Sequence, residues 1–512
     1  MQENFTLVGD FTPTQLDQSG ITLVAPGLFG SGMWLAKRMA GETREFIGQK
    51  SELDRAIEEA GAEDRHTLVI DAPTPAIPSM GGGRGTDGVA NDEILLQVPL
   101  ATDEAAVVMY IDEAGIVSFH YAQAPAAPMR GLPSRAFGAD RQLQFLLKLR
   151  TGVSKEPGES RGWIAKITSK IIKVLVVKIF PDQTGSFIAR RVQAWEQKQR
   201  TFQGLHGGTW AQLLDPTPTP VDNLAPYQGR RSLLLIHGTT STTAGAFAGL
   251  VTQPVLLDRL HTMYEGRVLG FNHHTLSVSV AENLRQFFSA LAASAGEYKF
   301  DILCHSRGGL LARALAHLTD VQAGKLTGTV WQRPSQAKVN IGHIVFVATP
   351  NSGTALADPE RIPGFVDRLA NYVNMLPDAT FTIASGALLS LAGAAAEVAL
   401  PRLPGLSDQA PDSLLQQMLA PPPRGFDRFY AFSSDYEPRG DLISVIKDGV
   451  VDRIFRSKKN DLVVPSDGVA TTPYFALPAE HCLTFPPERA VHHSAFFGQP
   501  EMRYIADWLE QP

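Results

Sequence analysis

Short apolar runs separated by turn-forming clusters give the first part of the chain a β rhythm. FTLVGD, ITLVAPG, HTLVID and EILLQVPL are followed by AAVVMYID and GIVSFHYA, and the Glu113-Ala114-Gly115 junction between the last two predicts a hairpin. A β-rich N-terminal domain over 1–135 is therefore expected. From Ser232 onward the rhythm changes: LLLIHG, RVLGFNH, FDILCHS, HIVFVATP and RFYAFSSD alternate with helix-like runs, which predicts an α/β domain over 232–512 with a mostly parallel sheet and helices on both faces. Most of these strands end in Gly or a polar residue, at the edge where open α/β sheets bind their ligands. Between the two, the pattern over 136–214 is read as a basic helical segment, and DPTPTPVDNLAPYQGRR at 215–231 as a Pro-rich connector.

Composition narrows the function classes. Of 512 residues, 44% are apolar and 19% charged, with 45 Gly and 35 Pro, which is globular usage and excludes a collagen-like, coiled-coil or wholly disordered chain. Lys+Arg minus Asp+Glu is 46 − 52 = −6, so no nucleic-acid partner is expected for the surface as a whole. Residues 161–200 depart from this, with nine Lys/Arg against Asp182 and Glu196. A solvated helical face is the plainer reading of that stretch, with a membrane-surface or protein contact left open. Cys304 and Cys482 are too few for a disulfide framework or a four-Cys zinc site. No cluster has metal-ligand spacing, so neither metal nor cofactor is expected. The first 36 residues hold no Lys or Arg, which argues against an export signal and for a cytoplasmic setting. Charges interrupt both long apolar stretches, Trp163 to Phe180 and Ala384 to Leu400, so no membrane-spanning helix is expected. GGGRGTDG at 81–88 lacks the Lys-Ser/Thr of a phosphate loop and reads as a loop.

The chemistry centres on FDILCHSRGGLLARAL at 300–315: an apolar strand, a Ser among small residues, then a helix-forming run. A sharp strand-to-helix turn exposes such a Ser and demands small residues two before and two after it, places filled here by Cys304 and Gly308. Ser306 is thus a candidate nucleophile. Acyl transfer also needs a base, an acid to orient it and donors for the oxyanion. LLLIHGTTST at 233–242 offers main-chain N–H groups at Thr239 or Thr240, to act with that of Arg307. NDLVVPSDG at 460–468 offers Asp461, with Asp435 at the end of FYAFSSD as the alternative acid. VHHSAFF at 491–497 offers His493, with His492 as the alternative base. The side chains of His305 and Arg307 are expected to point away from the nucleophile, and His237 to hold its loop without titrating. His273-His274 can line a pocket or simply belong to a polar loop.

IHGTTSTTAGAF, CHSRGGL, VATPNSGT and NDLVVP, in this order, resemble the lipase and esterase branch of the α/β-hydrolase superfamily over about 230–512. The resemblance is strongest to a little-characterised bacterial group of that branch. It implies an α/β-hydrolase fold, a Ser306–His493–Asp461 triad, oxyanion N–H groups at Thr239 and Arg307, and hydrolysis of a small or lipid-like carboxylic ester. An acyltransferase or amidase with the same triad, and a non-catalytic scaffold or binding protein that keeps the fold, are the alternatives. The 77 residues between Pro350 and Arg428 exceed an ordinary connection, so a helical cap is expected over about 355–425.

Overall fold

The computed structural model describes residues 1–36, 63–72, 93–101, 104–111, 117–122, 140–148, 169–178, 184–292, 296–319, 337–354, 403–420, 422, 425–436, 459–461 and 463–511. These fall into two compact units, one of Met1–Trp195 and the other from Glu196 onward.

The first unit is built of antiparallel strands: β1 (Gln2–Val8), β2 (Thr14–Leu16), β3 (Ile21–Val24), β4 (Phe29–Ala36), β5 (Glu63–Asp71), β6 (Glu93–Ala101), β7 (Glu104–Ile111), β8 (Val117–Tyr121), β9 (Asp140–Lys148) and β10 (Lys170–Lys178). They form a six-stranded sheet in the order β1-β4-β5-β10-β7-β8 and a four-stranded sheet β2-β3-β6-β9. The two sheets share one core, in which Trp34, Leu68, Val108 and Ile172 of the larger meet Leu23, Leu96 and Phe145 of the smaller. β7 and β8 pair across the junction at 113–115.

The expected helical segment over 136–214 is corrected here. β9 and β10 are strands, and a long helix begins only at Thr184, ending at Gln199. Lys166, Lys170 and Lys173 imitate an i, i+4, i+7 helical stripe, but the Ile and Val residues of KIIKVLVVK are stiff at χ1 and suit a pleated strand. β10 then lies inside the sheet, paired with both β5 and β7. Lys170 and Lys173 do not belong to a solvated face: Lys170 is buried and its Nζ donates to the Ala72 carbonyl, while Lys173 Nζ lies 2.7 Å from Asp64 Oδ2.

The second unit holds a seven-stranded sheet: β11 (Gly204–Gly207), β12 (Arg231–Ile236), β13 (Val268–Asn272), β14 (Glu297–His305), β15 (Lys338–Val347), β16 (Phe429–Ser434) and β17 (Cys482–Phe485). The order is β11-β13-β12-β14-β15-β16-β17, parallel throughout except for β11. Alternate residues bury both faces. Leu233, Leu235, Leu303 and Val345 pack with the helices Pro254–Tyr264 and Tyr504–Leu509 on one side. Phe271 and Phe300 meet Phe287 of the helix Val280–Ala290 on the other. The chain leaves β12 outward to β13 and returns to β14 on its other side, so the C-terminal ends of β12 and β14 mark the point where strand order reverses, which is where open α/β sheets place ligands. Among the described residues no helix is long and apolar enough to cross a membrane.

Candidate active site

β14 ends at His305, and the helix Gly308–Thr319 starts two residues after Ser306, so the chain reverses within one turn. Ser306 sits in the left-handed region at φ 54°, a strained conformation for a residue with a Cβ. Two glycines make room for it. A Cβ on Gly308 would collide with the Ile236 and His237 carbonyls of the neighbouring strand end, and one on Gly238 would lie 2.5 Å from Ser306 Cβ. Cys304, where the motif of this turn usually has glycine, is fully buried with its Sγ 3.3 Å from the Val345 carbonyl; burial pushes its thiol pKa far up, so it stays protonated.

The turn aims Ser306 at the loop that follows β17. Ser306 Oγ lies 2.9 Å from His493 Nε2, and His493 Nδ1 lies 2.8 Å from Asp461 Oδ2. All three residues are buried. The other Asp461 oxygen accepts the amides of Val463 and Val464 at 3.0 and 2.7 Å, which fixes the carboxylate plane, and the His493 amide donates to the Asp461 carbonyl at 3.1 Å. With Nδ1–H committed to the carboxylate, Nε2 presents its lone pair to the serine hydroxyl.

The alternatives lie elsewhere. Asp435 closes β16 and pairs with Lys459 at 3.0 Å. His492 faces Ser494 Oγ at 3.2 Å and meets Tyr436 edge-on, and burial lowers its pKa. His305 makes a contact that its sequence position did not announce: its Nε2 is 2.8 Å from the His493 carbonyl and its ring is 4.9 Å from the His493 ring, so it supports His493 from behind. Burial pushes the His305 pKa down to about 3, which makes it a neutral donor.

In the loop after β12, Thr239 and Thr240 differ in how their amides are used. The Thr240 amide donates to Thr275 Oγ1 at 2.9 Å and is thereby committed. The amides of Thr239 and Arg307 have no hydrogen-bond acceptor among the described residues. The peptide that carries the Thr239 N–H is oriented through its carbonyl, that of Gly238, which accepts from His237 Nδ1 at 2.9 Å and the Ser241 amide at 3.4 Å. His237 Nε2 accepts the His273 amide at 3.2 Å, and the two rings stack at 4.2 Å. Both His237 nitrogens are thus used, and its pKa falls to about 3 through burial, so it serves as a fixed support. His274 sits 3.1 Å from the Arg200 carbonyl and takes no part in the Ser306 cluster.

The Arg307 side chain is buried and turned from Ser306: Nε donates to the Gly405 carbonyl, and Nη2 to the Val278 carbonyl and Asn283 Oδ1. One helical stretch further on, Arg313 donates to the carbonyls of Asn351 and Leu419. Between them the two arginines secure residues 403–420, the part of the expected cap that is described, as two short helices, Pro404–Ser407 and Leu414–Met418. The remainder of that expectation, 355–402, 421 and 423–424, lies outside the described residues, as do the 81–88 stretch that the sequence reads as a loop and all of 149–168.

Residues 198–510 match the family described as Domain of unknown function (DUF7379), and the chain belongs to that family. No curated protein matches it. Among solved structures it is similar to lipase 1 from Pelosinus fermentans at 13% identity and a TM-score of 0.36, over 56% of this chain and 99% of that one. It is also similar to EstA from Clostridium botulinum at 14% identity and a TM-score of 0.34, over 63% and 97%. A third is the Staphylococcus hyicus lipase, at 13% identity and a TM-score of 0.31, over 57% and 95%.

Proposed function

We propose that the chain is a serine hydrolase of α/β-hydrolase type that cleaves carboxylic esters. The observation that carries this is the buried relay Ser306 Oγ–His493 Nε2–Asp461 at 2.9 and 2.8 Å, with the serine on a strained turn between a parallel strand and a helix. In this reading Ser306 Oγ attacks the acyl carbonyl and His493 Nε2 takes its proton. The imidazolium is stabilised by Asp461, and the oxyanion is met by the Thr239 and Arg307 N–H groups. His493 returns the proton to the departing alcohol, leaving an acyl-Ser306, which a water deprotonated by the same nitrogen then cleaves.

A fluorophosphonate probe should label Ser306, and a chain-length series of p-nitrophenyl esters should reveal the preferred acyl group. Ser306→Ala should lose labelling and retain at most the roughly 10³-fold to 10⁴-fold acceleration over water that binding and an oxyanion hole provide without the nucleophile. A folded wild-type protein that neither labels nor turns over any ester of the series overturns the reading in favour of a scaffold or binding protein.

A further inference from the structure

The oxyanion loop is held by residues that precede the sheet in sequence. Glu196 lies near the end of the helix Thr184–Gln199, just before the stretch that matches the family, and is 3% exposed. Its carboxylate is fully engaged by the loop after β13. Oε1 accepts the amides of Thr275 and Leu276 at 2.6 and 2.9 Å and the Thr275 hydroxyl at 3.2 Å, while Oε2 accepts the Ser277 amide and hydroxyl at 2.9 and 2.6 Å. With its proton committed to Glu196, Thr275 Oγ1 has a lone pair aimed at the oxyanion loop, and it accepts the Thr240 N–H at 2.9 Å. Four residues after Glu196, the Arg200 guanidinium donates to the Thr240 carbonyl at 3.1 Å. Thr240 is therefore gripped on both of its main-chain polar groups, at φ 57°, a conformation that a β-branched residue adopts only when its surroundings impose it.

That conformation decides which amide is left over. If Thr240 relaxed to a negative φ, its N–H would leave Thr275 and the 238–240 backbone would turn with it, carrying away the Thr239 N–H that now has no other acceptor. We propose that Glu196 is a positioning residue for catalysis: acting through Thr275, and alongside Arg200, it locks Thr240 in the left-handed conformation that presents the Thr239 N–H to the oxyanion. This inference rests on the ester-hydrolase reading above and adds to it a buried acid outside the triad.

Thr275→Val keeps shape and volume in a site that is 1% exposed and removes the hydroxyl, which is both the acceptor of the Thr240 N–H and a donor to Glu196. Removing an oxyanion donor outright costs about 10² to 10³ in kcat, so letting one drift should cost about 10-fold to 100-fold, with KM within about twofold. Affinity for a trifluoromethyl ketone, whose adduct with Ser306 carries the oxyanion, should fall by the same factor. The pH dependence of kcat/KM should keep its shape, because His493 and Asp461 are untouched. Thr275→Ser should restore both quantities. Glu196→Gln, which puts an amide NH₂ where an acceptor is required, should shift kcat and ketone affinity in the same direction. Thr275→Val combined with Glu196→Gln should lose less than the product of the single losses, because both act on one relay.

If the single variants lower Tm while kcat and ketone affinity per folded molecule stay at wild-type values, Glu196 is only structural and the inference is overturned, with the ester-hydrolase reading intact. If Thr275→Val does not fold, the comparison of Thr275→Ser with Glu196→Gln still decides: unchanged ketone affinity in Glu196→Gln overturns the inference. A wild type without labelling or turnover overturns the reading of the site first, and this inference falls with it.

Discussion

The two units bury charged side chains in different ways. In the first, charged side chains meet mostly across strands: the buried Lys173 on β10 pairs with Asp64 on the neighbouring β5 at 2.7 Å, and the half-buried Arg65 on β5 grips the buried Glu104 of β7, two strands over, with both arms at 2.6 and 2.7 Å, while Lys170 reaches a main-chain carbonyl, that of Ala72. In the second, one strand-to-strand pair recurs, Arg231 of β12 with the buried Asp301 of β14, but the buried Arg307 and Arg313 reach main-chain carbonyls of loops at the C-terminal edge of the sheet, and the buried Glu196 collects main-chain amides. Strand-to-strand pairs satisfy groups that a packed sheet has trapped, and they leave the backbone ladder as it was. Side-chain-to-loop bonds do something else: they dictate where loops run and which amides stay unused. A charge that grips irregular backbone marks a place whose shape the fold is holding, and in the second unit such charges hold loops that follow the strands of the parallel sheet.

The largest expected effect sets the carboxylate bonded to His493 against a nearby carboxylate that is not. Asp461→Asn should lower kcat by about 10⁴, because the amide offers an N–H where the carboxylate accepted one and so favours the wrong imidazole tautomer. Asp435→Asn, which changes only a carboxylate paired with an exposed Lys459, should leave kcat within about twofold. Steady-state ester kinetics of the two variants suffice, and a reversal would move the acid to the end of β16.

The next effect is on stability and belongs to the first unit. Lys173→Met strips a mostly buried Asp64 carboxylate of its cation, and breaking one side of such a pair costs about 3–5 kcal/mol. Lys173→Met with Asp64→Leu should recover most of that, since a well-packed apolar pair replaces a buried ion pair at little cost. Turnover per folded molecule should stay unchanged in both. Denaturant unfolding gives the two stabilities, and a double variant no better than the single one would show that this pair does more than satisfy trapped charge.

The same contrast explains what could be read from the residues alone. The Ser306 turn was legible because its steric demands fall on near neighbours: a strand, then small residues two before and two after the serine. Asp461 was legible because its loop is compact and local. The choice between His492 and His493 was not, because adjacent residues in coil differ only in which ring reaches Asp461, and that depends on chain 32 residues away. The different use of the Thr239 and Thr240 amides turns on a hydroxyl at Thr275, which no local pattern connects to the loop. Glu196 looked like one of two acids in a basic stretch, and its task appears only once five donors converge on it. In the first unit, β10 was read as part of a basic helical segment although its Ile and Val content suits a strand, whereas several strands of alternating or purely apolar residues were evident.

The smallest effect per group concerns acid, and it extends the comparison to histidine. Burial pushes the pKa of His237 and His305 down to about 3 and that of His206 to about 4, and it holds His273 well below its ordinary value; all four lie in the second unit. In the first unit, among the described residues, His66 falls to about 4 for the same reason. A histidine with a depressed folded pKa binds its proton more readily in the unfolded chain. Its contribution to stability is therefore fully present above the unfolded value near 6.5, and it is lost as pH falls from there toward 3 or 4. Each such group costs up to about 1.4 kcal/mol per pH unit inside that window. These four groups and His492, whose pKa burial also lowers, set against His66 mean that lowering the pH from 7 to 5 should weaken the second unit far more steeply than the first. Hydrogen–deuterium exchange at the two pH values, corrected for intrinsic exchange rates, should show protection falling in β12, β13 and β14 while β6 and β10 change little. His206→Gln, which removes one of the four without touching the Ser306 relay, should flatten the pH dependence of global unfolding by about one proton. Equal loss of protection in both sets of strands would mean that these four rings are less shielded than their surroundings indicate.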